Sequence, residues 1–387
     1  MTAGATRRVL VIIGTRPEAI KLGPVVQELR TRRDLETTVV VTGQHREMVD
    51  PVLDLFGIVP AADLALLAER QGLAAITTRA LTGLDELLED DPPDALIVQG
   101  DTTTAFAGAL AALYHRVPVA HVEAGLRTGN WLSPYPEESN RKLIGQLASL
   151  HLAPTPRAAD NLRREGVADE HIVVTGNTII DALRWAIDHA PAPTDRRLVA
   201  VESDPRPLVL FTVHRREAWD EGLANAATAL ATIARECDVL IVAPLHPNPI
   251  VQDAVLPALA GLDNVVVVEP LDYLAFSRLL QRARLVLTDS GGIQEEAPSL
   301  GVPVLVLRDV TERPEAVDAG AALVVGTDAQ DIAREALRLL HDDDAHRSMA
   351  NVVNPYGDGR AATRSVDALQ WYFGQRERPD DFSPFAR

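Results

Sequence analysis

The chain has 387 residues, with 37 Lys+Arg against 55 Asp+Glu, for a formal net charge of −18. Such an acidic balance argues against non-specific binding to nucleic acid or an anionic membrane, since both are polyanions, and 47% hydrophobic residues is too apolar for a disordered chain. A single cysteine, Cys237, excludes an intramolecular disulfide framework and a Cys-based zinc site.

The length suggests two domains. No apolar run approaches the ~20 residues that span a bilayer. Val9–Ile13 is too short for a signal peptide, so a cytoplasmic protein is expected.

Short, continuous, β-branched runs predict strands buried on both faces, hence a parallel sheet covered by helices. In chain order the first set is Val9–Ile13, Thr38–Thr42, Ala95–Val98 and Val117–His121. Phe106, Leu110 and Leu113 mark a helix by their spacing, and Leu143, Ile144, Leu147 and Leu150 the buried face of another. His189–Pro207 carries Pro191, Pro193, Pro205 and Pro207 and many charges, and reads as a linker. A second set follows: Leu208–Val213, Val239–Ala243, Val265–Val268, Leu285–Thr288 and Val304–Leu307. Leu223, Leu230 and Ile233 mark a helix between its first two members.

The predicted fold is α/β, with two Rossmann-like domains facing across a cleft. Residues 1–188 form the first domain, 189–207 the linker and 208–360 the second domain. Residues 361–387 carry a helix that packs back on the first. The acidic runs Glu89–Asp91 and Asp342–Asp344 read as solvated helix ends or loops.

Ligands of such sheets bind beyond the carboxyl ends of the strands, so the residues just after each run should carry the chemistry. Gly14-Thr15-Arg16-Pro17-Glu18 and Lys21 follow the first run. A guanidinium there suits a phosphate or carboxylate, and an Arg16–Glu18 surface pair is the plainer alternative. Asp101 follows Ala95–Val98 within Gln99-Gly100-Asp101-Thr102, as an acid or as a helix cap.

Glu123 lies just past Val117–His121 on a Gly-bearing loop, where burial calls for Arg127 or a ligand as partner. Glu137 and Glu138 open a helix after Pro136, which helix-start chemistry alone could explain. Three carboxylates on three loops on one side of a sheet repel one another, and such clustering is common at sites of chemistry.

In the second domain His214-Arg215-Arg216-Glu217 and His246-Pro247-Asn248-Pro249 follow strands. Ser290-Gly291-Gly292 between a strand and a helix suits an anion, with Ser290 as N-cap and the glycines admitting close approach; tight packing is the alternative use of the glycines. Glu296 could bind a ribose diol, and Arg313 adds a cation on a later loop. Neither a GxGxxG fingerprint nor a Walker sequence occurs, so no nicotinamide or ATP cofactor is indicated by motif.

Together these strings resemble one family, the non-hydrolysing UDP-N-acetylglucosamine 2-epimerases, which have the GT-B architecture. The matching segments run in family order over nearly the whole chain. They include GTRPEAIKLGPV (14–25), TGQHREM (42–48), QGDTTT (99–104), HVEAGLRTG (121–129), SPYPEESNR (133–141), TGNTIIDAL (175–183), HRRE (214–217), HPNP (246–249), LTDSGGIQEEAPSLG (287–301), TERPEAV (311–317) and NPYGDG (354–359). Ala218 and Gly43 depart from the usual residues without removing a catalytic group.

The resemblance implies interconversion of UDP-N-acetylglucosamine and UDP-N-acetylmannosamine by elimination of UDP to 2-acetamidoglucal and re-addition, with no cofactor or metal. It implies proton-transfer work for Asp101, Glu123 and Glu137, and His214 near the leaving group. Arg16, Lys21, Ser290, Gly291, Gly292, Glu296 and Arg313 would hold UDP and sugar. Gln44, Arg70 and His246 match a site where a second UDP-N-acetylglucosamine activates, and a homodimer is expected. A hydrolysing epimerase, a GT-B glycosyltransferase and a non-catalytic UDP-sugar-binding regulator are the alternatives. The last would be expected to have lost some of Asp101, Glu123, Glu137 and His214, and all four are present.

Overall fold

Branched apolar runs and small-residue helices build two sheets. In the computed structural model the described residues are 6–43, 46–66, 72–213 and 221–384. They divide into two compact units, Met1–Ala182 with Tyr356–Arg387, and Leu183–Pro355.

The first unit holds β1 (Arg7–Ile13), β2 (Leu35–Val41), β3 (Ala62–Asp63), β4 (Ala95–Gln99), β5 (Val119–Val122), β6 (Leu150–Ala153) and β7 (Ile172–Val174). They pair in parallel in the order β3-β2-β1-β4-β5-β6-β7. The second holds β8 (Leu208–Thr212), β9 (Leu240–Pro244), β10 (Val265–Val268), β11 (Ala283–Thr288), β12 (Val304–Val306) and β13 (Ala322–Val324). These are also parallel, in the order β10-β9-β8-β11-β12-β13.

Each sheet reverses its direction of growth once, between β1 and β4 and between β8 and β11. At such a switch point the two flanking loops diverge to opposite faces and leave a crevice for a ligand. The expected class, two Rossmann-like α/β domains, is the observed one.

All nine predicted strands are present. β3, β6, β7 and β13 were not expected, because two to four residues are too few to show a period. Leu150 therefore belongs to β6 rather than to the preceding helix Glu137–Leu147, of which Ile144 is buried and Leu143 exposed. In the helix Thr103–Tyr114 the buried face is made of Ala105, Ala107, Gly108, Ala109, Ala111 and Ala112, while Leu113 is exposed. Small side chains let that helix lie close on the sheet: a Cβ on Gly108 would stand 3.0 Å from Ile12 Cδ1 and 3.2 Å from Val98 Cγ1. Periodicity located these helices and placed Ile144 and Leu147 on the core side, but Leu143 and Leu113 face outward.

Within the Pro-rich stretch 189–207 the segment Arg196–Ser203 is helical, and the Asp195 carboxylate caps it by accepting from the Arg197 amide at 2.8 Å. The helix Thr178–His189 carries the chain out of the first unit. The helix Ala361–Tyr372 lies in that unit again, where Asp367 meets Arg32 at 2.9 Å and Gln370 donates to Asp34 at 2.7 Å. Among the described residues no helix is long and apolar enough to cross a membrane.

Candidate active site

The site of the first unit starts where β1 ends. Gly14 has to be glycine because a Cβ would fall 2.5 Å from Thr104 Oγ1, in the first turn of the helix Thr103–Tyr114. The helix Arg16–Thr31 follows, and Glu18 in its first turn is buried. Its carboxyl accepts from the amides of Gly14 (3.0 Å) and Thr15 (2.6 Å) and from the Thr102 hydroxyl (2.7 Å), which braces the loops after β1 and β4 together. Burial pushes the Glu18 carboxyl up to about 7 despite those donors. The alternative Arg16–Glu18 surface pair does not form. Arg16 is exposed and has no hydrogen bond or ion pair among the described residues.

Glu123, just past β5, is buried in the left-handed region at φ +63°. That conformation costs a non-glycine residue about 1–2 kcal/mol. Its carboxylate pairs with Lys21 and accepts from the Gln99 side-chain amide and, at 3.1 Å, from Asn177 Nδ2. The expected alternative partner, Arg127, instead makes a two-pronged contact to Glu165 at 2.5 and 2.8 Å. Lys21 thus stands against a carboxylate rather than open to solvent.

Asp101 is not a helix cap. Thr102 caps the helix Thr103–Tyr114, its hydroxyl accepting from the Ala105 amide at 3.0 Å. Arg141 grips the Asp101 carboxylate through Nε (2.8 Å) and a terminal nitrogen (2.7 Å), and also reaches Glu138 at 3.2 Å. Glu138 is buried and accepts from the amides of Thr128 (3.1 Å) and Gly129 (3.2 Å), fixing that loop. Glu137 beside it is half-buried and has no hydrogen bond or ion pair among the described residues.

The loops after β4 and β5 meet: a Cβ on Gly100 would lie 3.5 Å from Glu123 Oε2. Gln99, Asn177 and Arg141 were given no role from the sequence, and Glu138 only that of a helix-opening acid. Gln99 and Asn177 stand at strand ends, the one available signal, but Asn177 follows β7, which was not expected.

Two buried histidines pair across β5 and β6. His121 Nε2–H donates to the Gly100 carbonyl at 2.8 Å, and His151 is its register partner. Burial pushes His121 down to about 4 and His151 down to about 3, so both are neutral in the fold at neutral pH. The unfolded chain takes up protons near pH 6.5, before the folded one does, so stability is present above that pH and lost as pH falls toward 4. The urea midpoint should therefore drop across that interval, and less steeply in His151→Leu; an equally steep drop in the variant would remove His151 from this account.

In the second unit Asp289 and Ser290 follow β11 and lead into the helix Gly291–Glu296. Ser290 occupies the N-cap position, but its side chain makes no cap bond; its amide donates to Thr288 Oγ1 at 3.0 Å. A Cβ on Gly292 would find only Glu296 Oε2, at 3.9 Å, so packing does not demand glycine there. Glu296 accepts from the Tyr273 hydroxyl at 2.8 Å. Desolvation and the Glu296 charge hold that phenol well above its ordinary value. Arg313 pairs with the buried Glu295. His246 is exposed, its Nδ1 accepting from the Asn248 amide at 3.1 Å. His214, Gln44 and Arg70 lie outside the described residues.

A family model described as UDP-N-acetylglucosamine 2-epimerase matches residues 27–370. The Salmonella typhimurium UDP-N-acetylglucosamine 2-epimerase is 50% identical over 371 residues, covering 94% of this chain and 99% of that protein. The crystal structure of the Neisseria meningitidis UDP-GlcNAc 2-epimerase bound to UDP-GlcNAc is 44% identical with a TM-score of 0.86, over 94% of this chain and 100% of that one. A Staphylococcus aureus MnaA–UDP structure, also 44% identical, has a TM-score of 0.86 over 97% and 100%. With that model matching most of the chain and these relatives matching it nearly end to end, the chain belongs to the UDP-N-acetylglucosamine 2-epimerase family.

Proposed function

We propose that the protein interconverts UDP-N-acetylglucosamine and UDP-N-acetylmannosamine without hydrolysis. The C2–H bond of the sugar is not α to a carbonyl, so direct deprotonation is slow. If the C1–O bond breaks first, its electron pair leaves with UDP and the oxocarbenium-like centre acidifies C2–H. A carboxylate takes that proton, C1=C2 forms, and 2-acetamidoglucal results. Re-addition of UDP at C1, with a proton delivered to the other face of C2, gives the epimer. Every atom is returned, so no external oxidant or water is consumed.

The observation that carries this reading is the state of the three carboxylates. Glu123 is buried and held by Lys21, Gln99 and Asn177; Asp101 is gripped by Arg141; Glu137 has no protein partner among the described residues. Three acids in three different settings suit a reaction that needs proton transfer on two faces of one carbon. Arg16, Ser290, Gly291, Gly292, Glu296 and Arg313 would hold UDP, where cations and backbone N–H groups stabilise the charge of the departing diphosphate. His214 would serve near the leaving group. A homodimer, a cytoplasmic setting and an activator site at Gln44, Arg70 and His246 belong to the same proposal.

Incubation with UDP-N-acetylglucosamine in deuterated water, followed at C2 by NMR, tests it. Deuterium at C2 together with UDP-N-acetylmannosamine is expected. Free N-acetylmannosamine would identify a hydrolysing enzyme, and absence of exchange would refute both epimerases.

A further inference from the structure

Asn177 makes hydrogen bonds to three different parts of the first unit. Its side-chain Nδ2 donates to Glu123 Oε1 at 3.1 Å. Its Oδ1 accepts from the Ile179 amide at 3.1 Å, at the start of the helix that carries the chain out of the unit. Its backbone N–H donates to the Tyr356 carbonyl at 2.6 Å, where the chain re-enters the unit. Asn177 and Tyr356 are 2% and 1% exposed, so water does not replace these bonds at low cost.

The two segments touch backbone to backbone. Gly176 has φ +87°, and a Cβ there would stand 3.4 Å from the Tyr356 carbonyl oxygen and 3.5 Å from Gly357 Cα. A Cβ on Gly357 would stand 3.3 Å from Ile180 Cγ1 and 3.6 Å from the Asn177 nitrogen. The positive φ at both positions favours glycine, and the two segments lie within van der Waals reach of each other there. The outgoing and returning passages of the chain therefore converge on the residue that holds the Glu123 carboxylate.

We infer that Asn177 is a positioning residue for catalysis, one that sets the Glu123 carboxylate by tying it to both passages of the chain between the units. A strained, left-handed Glu123 needs several donors to hold its carboxylate in one place. Asn177 is the donor whose own position is set by the crossing segments. The inference rests on Glu123 serving in proton transfer.

Asn177→Ser and Gly357→Ala test it in the full chain, with Glu123→Gln assayed beside them. Serine keeps the helix-capping oxygen, but its hydroxyl stops a bond short of Glu123. For Asn177→Ser, kcat should fall about ten-fold or more, the effect of one lost hydrogen bond to a charged group, while KM changes little. Gly357→Ala leaves every donor to Glu123 chemically intact but strains the returning segment beside Asn177, where φ is +159° and a Cβ would press on Ile180 Cγ1, and kcat should again fall.

In the double variant kcat should be no lower than in Asn177→Ser alone, because both changes break one linkage. Full turnover in Asn177→Ser, or additive losses in the double variant, would overturn the inference. Retained turnover in Glu123→Gln would instead overturn the assignment of Glu123 on which it rests.

Discussion

Glu123→Gln should lower kcat by about a thousand-fold with KM nearly unchanged, because general acid–base catalysis by one positioned group contributes roughly 10²–10⁴-fold. Glutamine keeps the size of the side chain, so the pocket stays filled, and its one oxygen in the place of Oε1 can still accept from Asn177 and Lys21, while its NH2 replaces the Oε2 that accepted from Gln99. What is lost is the capacity to take the proton from C2. Steady-state rates in both directions, with the C2 exchange measured in deuterated water, check this. A variant that turns over at near the native rate would remove Glu123 from proton transfer and leave Asp101 and Glu137 to share it.

Lys21→Met should cost about a hundred-fold in turnover through a different route. The Lys21–Glu123 pair has side chains only 13% and 6% exposed, and removing one member of a buried pair costs about 3–5 kcal/mol because the remaining charge is left uncompensated. Without the ammonium, a buried carboxylate takes up a proton more readily and ceases to be a base. The urea midpoint should fall with the rate, while affinity for UDP stays within about three-fold if Lys21 serves Glu123 alone. A large loss of UDP affinity with unchanged stability would place Lys21 on the nucleotide instead, as the sequence resemblance implies. Titration with UDP by calorimetry separates the two.

The first of these predictions follows from the sequence resemblance, but the second could not have been written from the sequence, although both residues were singled out there. Lys21 and Glu123 are 102 positions apart, and Asn177 is 54 positions beyond Glu123. Each stands beyond the carboxyl end of a strand, on the loop there or in the first turns of the helix that follows, which is where ligand-binding groups of such sheets are expected. Arg127 looked like the natural partner of Glu123 from four residues away, yet its guanidinium turns to Glu165. Sequence proximity is a poor guide on a loop in the left-handed conformation, because the side chain leaves the backbone in an unusual direction.

Helix caps tell the same story at shorter range. Asp101 and Ser290 are both residue types that cap helices, but Thr102 does that work beside Asp101, and the Ser290 side chain caps nothing. Asp101 is thereby released to meet Arg141 from the helix Glu137–Leu147. Glu18 shows the reverse. It could have been a surface partner for Arg16, and instead it turns inward to brace two loops.

By itself, the sequence determined the class of fold, the division into two sets of strands, and the loops on which the polar groups stand. It did so because a strand covered on both faces must be a continuous apolar run, and the polar residues interrupting such runs are confined to strand ends. It also carried the family, through many short strings in one order. Only the tertiary structure decided which charged groups meet: Lys21 with Glu123, Arg141 with Asp101, Arg313 with Glu295. The physical reason is that pairing depends on the register between strands and on helix placement over the sheet. Four of the strands that set that register, β3, β6, β7 and β13, are too short to carry a period of their own.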